Sequence, residues 1–455
     1  MDETSLRTLF DQAVSERPPT PRLVPVAIET GHRIRRRRNL VAASATVLAV
    51  GVIAGLVPLA HGLGFGAAPA RPAAGGASAG KQTAYIITSR QPPIHVSGAY
   101  YLVPVDTAAG TTGKPIPLPD TASALAAAGP HARTIYVLTE SALIPVDTAT
   151  NTAGRPIPLP DTHGHPTVIG PYSDMTGPVL ISPGGRTAYV LYTTGVLPVD
   201  LTTGLPGKLI AVPDAWGLVL TPDGRTLYVI RQDTRGQTAH SDGSTMWSAT
   251  PIDTASGHTL PAIQLGRTTD EIMSGAAVTP DGGTVVLCTA SQTSGHADHI
   301  FTIDTATGSA RSLTIPGPGC SLEVGDHVAY AAIQDEILTI DTSADTVAAT
   351  TMLPSSRGWS YLLAPDATGP LVYAMNLGTG DLVLVDTATD NALPAPSLGV
   401  PARDLRATML MVNGPGTTIL VGSTDGLIPV STTSRRVGRP IRLGGDPLQE
   451  LILAR

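Results

Sequence analysis

One unit recurs eight times along this chain: a hydrophobic residue, an aspartate, a threonine, several small residues and an apolar stretch rich in proline. The clearest copies are VDTAAGTTGKPIPLPD from Val105 and VDTATNTAGRPIPLPD from Val146. The aspartate falls at Asp106, Asp147, Asp200, Asp253, Asp304, Asp341 and Asp386, and Ser431 replaces it in the eighth copy. Successive copies lie 41, 53, 53, 51, 37, 45 and 45 residues apart. A period in this range means one supersecondary unit copied many times, so the chain is limited to repeat architectures.

Each period parses into four short strands. Around Asp200 these are GPVLISPGG, RTAYVLYT, GVLPVDLTTG and GKLIAVP; the next unit repeats the pattern as WGLVLTPDG, RTLYVIRQ, SATPIDTASG and PAIQLG. Pro222-Asp223-Gly224 and Pro280-Asp281-Gly282 suit tight turns, because proline fixes φ and glycine accepts a positive one. In Asp-Thr-Ala-Thr the carboxylate can accept hydrogen bonds from amides two or three residues on. The seven repeat aspartates are therefore expected to be structural turn residues, neither catalytic nor metal-binding. Four-stranded units at this period describe an all-β fold, a β-propeller. The first unit starts at Thr83 with a second strand, TAYIITS, and the chain finishes with LQELILAR, a surplus innermost strand. Pairing the two would close a ring of eight four-stranded blades. Seven blades is the alternative, if the unit near Asp341, where the step is shortest, merges with a neighbour.

The segments TPDGRTLYV and SPGGRTAYV, each followed by a PVD or PID turn, resemble the YVTN-type repeats of surface and periplasmic propellers in the WD40-like superfamily. The resemblance covers about residues 83–455. It implies the propeller fold. It does not select a function, because that superfamily includes binding proteins, lactonases and cofactor-dependent dehydrogenases.

The N-terminal part is of another kind. Leu40 to Ala60 contains no charged residue and lies directly after Arg33, Arg35, Arg36, Arg37 and Arg38. About 20 apolar residues in a helix span a bilayer, and flanking positive charge stays in the cytoplasm. The sequence thus predicts a cytoplasmic stub over 1–38, a transmembrane helix over 39–61, a flexible Gly/Ala/Pro linker over 62–81 and an extracytoplasmic propeller over 82–455. A cleaved signal peptide competes, with Ala67-Ala68-Pro69-Ala70 as its cleavage site, but its apolar core would be unusually long. In the stub, Leu6, Leu9, Phe10, Ala13 and Val14 fall at helical spacing, up to the break at Arg17-Pro18-Pro19. The stub resembles cytoplasmic segments of actinobacterial membrane-anchored proteins, some of them anti-sigma-like. It has one His and no Cys, so zinc-type anti-sigma activity does not carry over.

Residues 1–38 hold eight Arg against five acidic residues, whereas the remainder holds 21 basic and 31 acidic residues. An acidic body with 4% aromatics is a poor nucleic-acid binder, and no nucleic acid is expected as a partner. The expected partners are the membrane, through 39–61, and a protein, peptide or glycan. No P-loop, Rossmann fingerprint, G-x-S-x-G or H-E-x-x-H occurs, and no cofactor is expected.

In a propeller, the turns between strands one and two and between three and four share one face. Here that turn face holds the short PDG and DTAT turns. The opposite, loop face holds the long segments 161–177, 231–248, 266–275 and 291–299, and irregular loops on a rigid scaffold usually carry binding. Its candidate residues are Trp216, Trp359, His163, His165, His240, Asp242, Trp247, Asp270, His296 and His299. Trp216 and Trp359 each precede a strand-ending proline by six residues, which places them near the channel mouth as stacking platforms or as packing between blades. His163 and His165 with Asp161, His240 with Asp242, and His296 with Asp298 and His299 are ligand types without a specific spacing, so no metal site is predicted. Asp270-Glu271 and Asp335-Glu336 are sequence neighbours that point to opposite faces of a strand, which argues against catalytic pairs. The function read from these features is a ligand- or protein-binding scaffold or sensor at the cell envelope. The alternative is a lactonase-like hydrolase acting at the channel mouth. A bridge between Cys288 and Cys320 is possible only if their Cα atoms lie within about 7 Å; two buried free thiols are the default expectation.

Overall fold

The chain divides into two units, Met1–Gly76 and Ala77–Arg455. The computed structural model describes residues 83–90, 99–119, 122–127, 133–160, 178–233, 244–269, 271–291, 298–315, 320–325, 327–354, 361–365, 371–376, 378–393, 397–401, 404–412, 416–443 and 446–454, all within the second unit. The stub, the apolar span 39–61 and the linker lie outside the described residues. Among the described residues no helix is long and apolar enough to cross a membrane.

Eight antiparallel sheets follow one another along the chain. Blade 3 is representative. Val179–Ile181 pairs with Thr187–Tyr192, which pairs with Gly195–Asp200, which carries the outer strand. The unit around Asp341 is a complete blade of four strands, Ser321–Gly325, Val328–Ile333, Glu336–Asp341 and Thr346–Met352, so the count is eight. Its step is short because tight connections join its strands. The last strand, Asp446–Ala454, pairs antiparallel with the first, Thr83–Arg90, and supplies the missing innermost strand of blade 1. Each innermost strand then touches the next around a closed ring.

The core lies between the blades. Among the described residues the buried apolar side chains separate into eight clusters, one at each junction. The two-residue period of a strand explains this. In blade 2, Ile135 and Val137 join the cluster shared with blade 1, while Tyr136 and Leu138 join the one shared with blade 3. Each fully buried side chain of this size is worth about 1.5–3 kcal/mol, so every junction is a substantial apolar contact.

The outer strand differs from the sequence expectation: in five blades it is split. In blade 3 the pieces are Leu205–Pro206 and Ile210–Ala211, and the break is at Gly207, whose amide donates to the Pro198 carbonyl at 2.7 Å. Pro198 has no N–H to return a bond, so the outer strand bulges there. Pro104, Pro145, Pro251 and Pro429 occupy the same position in blades 1, 2, 4 and 8, and their carbonyls accept from Gly113, Gly154, Leu260 and Gly438. Blades 5 and 6 carry Thr302 and Thr339 there; the outer strand Ala310–Ile315 of blade 5 is regular, and Thr346–Met352 of blade 6 is continuous but shifts register beside Thr339.

Candidate binding faces

The turn face is locked at three levels. First, each turn residue caps its own turn. Asp147 accepts from the amides of Ala149 and Thr150 at 2.9 and 2.8 Å, and Asp200 from those of Thr202 and Thr203 at 2.8 and 3.1 Å. Asp106, Asp253, Asp304, Asp341 and Asp386 make the same kind of bond, and Ser431 accepts from the Ser434 amide at 3.1 Å. The fourth residue after the cap has positive φ in every copy: Gly110, Asn151, Gly204, Gly257, Gly308, Asp345, Asp390 and Arg435. Second, the following threonine ties this turn to the neighbouring turn of its own blade. Thr254 Oγ1 donates to the Gly224 carbonyl at 2.6 Å, Thr305 Oγ1 to Gly282 at 2.7 Å and Thr432 Oγ1 to Gly416 at 2.7 Å. Third, a tyrosine on the second strand reaches the turn of the next blade. The Tyr85 hydroxyl donates to Asn151 Oδ1 at 2.5 Å and approaches the Thr148 carbonyl at 3.3 Å, and Tyr189 hydrogen-bonds Thr254.

These bonds set the electrostatics. The Thr150 amide holds Asp147 below the ordinary carboxylate range, the Thr203 amide does so for Asp200 and the Thr307 amide for Asp304. The hydroxyls of Ser256 and Ser343, ahead of the amides, lower Asp253 and Asp341. Burial, and then the charge of Asp147, pushes Tyr85 up to about 12. In each of these turns one carboxylate oxygen, Oδ1, closes the turn.

The loop face is built differently. The strand ends flanking 161–177, 234–243, 270 and 292–297 all point to this face, opposite the capped turns. The innermost strands of blades 2, 4, 5 and 8 change register near their loop-face ends, as does the closing strand of blade 1. Bulges re-aim side chains and are frequent beside binding sites. In blade 4 the extra residue is Trp216, between Ala215, opposite Arg231, and Gly217, opposite Ile230. Trp216 is half-buried on the core shared by blades 4 and 5. Its indole Nε1 is enclosed and has no hydrogen-bond partner.

The other candidates separate. Trp247 is completely buried in that same core, and its Nε1 donates to Thr268 Oγ1 at 2.9 Å. It faces inward because its strand, Ser244–Asp253, is the paired third strand of blade 4, flanked by Thr226–Asp233 and Ile263–Thr269. It is therefore a packing residue and not part of the surface. His299 is half-buried with its ring stacked on Phe301, centroids 5.8 Å apart. His163, His165, His240, Asp242, Asp270, His296 and Trp359 lie outside the described residues. Among the described residues no three His, Cys, Asp or Glu side chains converge. Cys288, on the second strand of blade 5, and Cys320, just before the innermost strand of blade 6, form a disulfide with Cα atoms 6.2 Å apart.

A cleft of about 1250 Å³ was not anticipated from the sequence. It opens on the outer wall between blades 3 and 4, with Tyr189 and Ile210 among its apolar residues and Arg186, Lys208 and His258 among its polar ones. Its origin is the split outer strand of blade 3 beside the next turn, an inter-blade arrangement that no single repeat displays.

No family model matches this chain, and no curated protein matches it by sequence. Solved structures do. Dihydro-heme d1 dehydrogenase NirN in complex with DHE is 12% identical over 82% of this chain and 74% of its own, with a TM-score of 0.55. Apo AztD from Citrobacter koseri is 12% identical over 82% and 97%, with a TM-score of 0.52. Porphyromonas gingivalis dipeptidyl peptidase 4 is 9% identical over 76% and 58%, with a TM-score of 0.51. At these identities the likeness concerns the fold alone: this chain is an eight-bladed β-propeller.

Proposed function

We propose that this chain is a membrane-anchored, extracytoplasmic β-propeller scaffold or sensor that binds a ligand or protein partner on its loop face, around the channel mouth, without chemistry. The observation that carries the reading is Trp216: a half-buried aromatic residue on a bulge near the loop-face end of the innermost strand of blade 4, with an indole donor left unpaired. A buried donor without an acceptor costs about 1–3 kcal/mol, and a ligand whose docking moves the covering groups aside and supplies an acceptor would recover that cost. The division of labour between the faces supports it. The carboxylates with lowered pKa among the described residues all serve turn-face hydrogen bonds, including Asp200 beside the cleft between blades 3 and 4. The anchor over 39–61, the cytoplasmic N-terminus and the outward propeller rest on the arginine run and the apolar span.

Two experiments test this. Tryptophan fluorescence of the full chain is titrated with small N-acetylated saccharides and short peptides. A saturable change that Trp216→Phe abolishes supports the site. Turnover of a lactone panel, lost in the same variant, would replace binding with the hydrolase reading. For topology, protease added to intact cells should remove the propeller and leave the stub; full protection overturns the orientation.

A further inference from the structure

The outer wall and the turns beside it are chemically uneven around the ring. The eighth position after the turn residue, at the outer-strand bulge, is Arg439 in blade 8, Lys114 in blade 1, Arg155 in blade 2 and Lys208 in blade 3, all exposed. The same position holds Pro261, Ser312, Ala349 and Pro394 in blades 4 to 7. On the basic side, Arg133 and Arg186 precede the second strands of blades 2 and 3, and Arg435 and Arg436 stand in the turn of blade 8; all four are exposed. On the other side, Arg225 also precedes a second strand and Arg311 is exposed, but each lies beside a carboxylate, Asp223 and Asp345; the turns there further carry Asp281 and, at the positive-φ position, Asp390. Blade 8 is also the one blade whose turn residue is uncharged, Ser431.

Ring closure makes this a continuous arc. A Cβ added at Gly110, in the turn of blade 1, would lie 3.9 Å from Ile441 of blade 8, and the outer strands that carry them onward are in contact. The arc also surrounds the point where the N-terminal segment joins the propeller. Thr83 pairs with Asp106, the capped turn residue of blade 1, so the chain arrives on the turn face in the middle of the basic side.

We propose that this arc docks the propeller onto the anionic lipid headgroups of the membrane in which the chain is anchored, leaving the loop face turned away and open to its partner. The inference rests on the anchored reading of residues 39–61. Two observations choose lipid over other polyanions. The positive charge is spread along a rim instead of being gathered in a pocket. It also flanks the point where the N-terminal segment enters the propeller, and only about 20 residues separate that point from the proposed anchor, which keeps the arc close to the bilayer. Clustered Lys and Arg close to an anionic membrane are attracted within a screening length of its surface.

The test uses the full chain reconstituted into vesicles of phosphatidylcholine alone or mixed with phosphatidylglycerol. Amide exchange of residues 106–114, 147–155, 200–208 and 431–439 is compared with that of the equivalent turns of blades 4 to 7. Several-fold slower exchange on the basic arc, only in phosphatidylglycerol vesicles, is expected. It should fade as salt is raised from about 0.01 to about 1 M, where the screening length falls from about 30 to about 3 Å. It should also be absent in a variant combining Lys114→Gln, Arg155→Gln, Lys208→Gln and Arg439→Gln that melts at the parent temperature. Equal exchange in both vesicle types, with the chain resisting alkaline carbonate extraction, overturns the docking and leaves the anchor standing. Extraction from both vesicle types overturns the anchor; salt-sensitive co-sedimentation with phosphatidylglycerol vesicles then decides the docking, and its absence sinks it. If dextran sulfate protects the arc and the vesicles do not, the surface reads an acidic polysaccharide and the lipid assignment fails.

Discussion

The junction between blades 1 and 2 and the junction between blades 5 and 6 face the same task with different chemistry. In the first, Tyr85 reaches across to Asn151, the fourth residue after the turn cap. Tyrosine recurs at its position in blades 2, 3, 4, 6 and 7, as Tyr136, Tyr189, Tyr228, Tyr330 and Tyr373. Blade 5 has Val286 there, which cannot make that bond. Its junction with blade 6 instead carries the Cys288–Cys320 disulfide. It also carries a hydrogen bond from Thr302 Oγ1 to Asp345 Oδ1 at 2.5 Å and an ion pair between Arg311 and Asp345 at 2.9 Å. Asp345 occupies the position of Asn151, so the next turn supplies the acceptor in both junctions and only the donor has changed. The remaining blade without the tyrosine is blade 8, with Leu420, and its junction with blade 1 is where the closing strand Asp446–Ala454 seals the ring. Where the repeated latch is lost, a covalent bond or the ring closure stands in its place.

Removing the disulfide should give the largest effect. Cys288→Ala with Cys320→Ala releases a loop spanning 32 residues and should destabilise the propeller by about 2–4 kcal/mol. Urea unfolding of the double variant checks it; an unchanged midpoint would mean that Asp345 alone holds the junction.

Acid should weaken both junctions together, because each uses a capped turn. Asp147 and Asp341 are held below the ordinary range in the folded chain, so their contribution is present above the unfolded pKa of about 4. It is lost as pH falls through the lower folded values. Melting temperature followed from pH 5 downward should decline, steepest below about pH 4.

Tyr85→Phe isolates the latch and should cost about 1–2 kcal/mol in urea unfolding. The same group gives an alkaline signature. Its folded pKa, about 12, lies above the unfolded value of about 10, so its contribution is complete below pH 10 and is lost as pH rises toward 12. Denaturation midpoints across that window should fall in the parent and less in Tyr85→Phe.

Arg311→Ala should have the smallest effect. The arginine is exposed and its pair with Asp345 is screened, so a loss of at most about 1 kcal/mol, shrinking with added salt, is expected. A larger loss would mean that the ion pair, and not Thr302, replaces the missing tyrosine.

Much of this was legible in the residues. The spacing of Asp106, Asp147 and their copies shows the blade period, and Asp-Thr followed by small residues is the signature of a capped turn. The surplus strand LQELILAR pointed to ring closure, since a lone innermost strand needs a partner. The site was far less legible. Trp216 and Trp247 are equivalent as letters and pack on the same core, yet one is half-buried on a bulge and the other completely buried, because burial depends on the facing blade. The outer-strand proline that splits five blades was visible in each copy, but its consequence, a cleft beside Lys208, needs the next blade to be in place.

The sequence by itself determined the repeat, the turn chemistry and the alternation of side chains between two faces of each strand. These are local properties, settled by residues within a few positions of one another. Only the tertiary structure decided which blades are neighbours across the closure. Thr83 and Ala454 are paired in space from opposite ends of the propeller. That pairing joins Arg439 to Lys114 in one arc and places the N-terminal attachment within it. The physical reason is that a ring buries its core only between blades, so each surface is assembled from segments far apart in the chain.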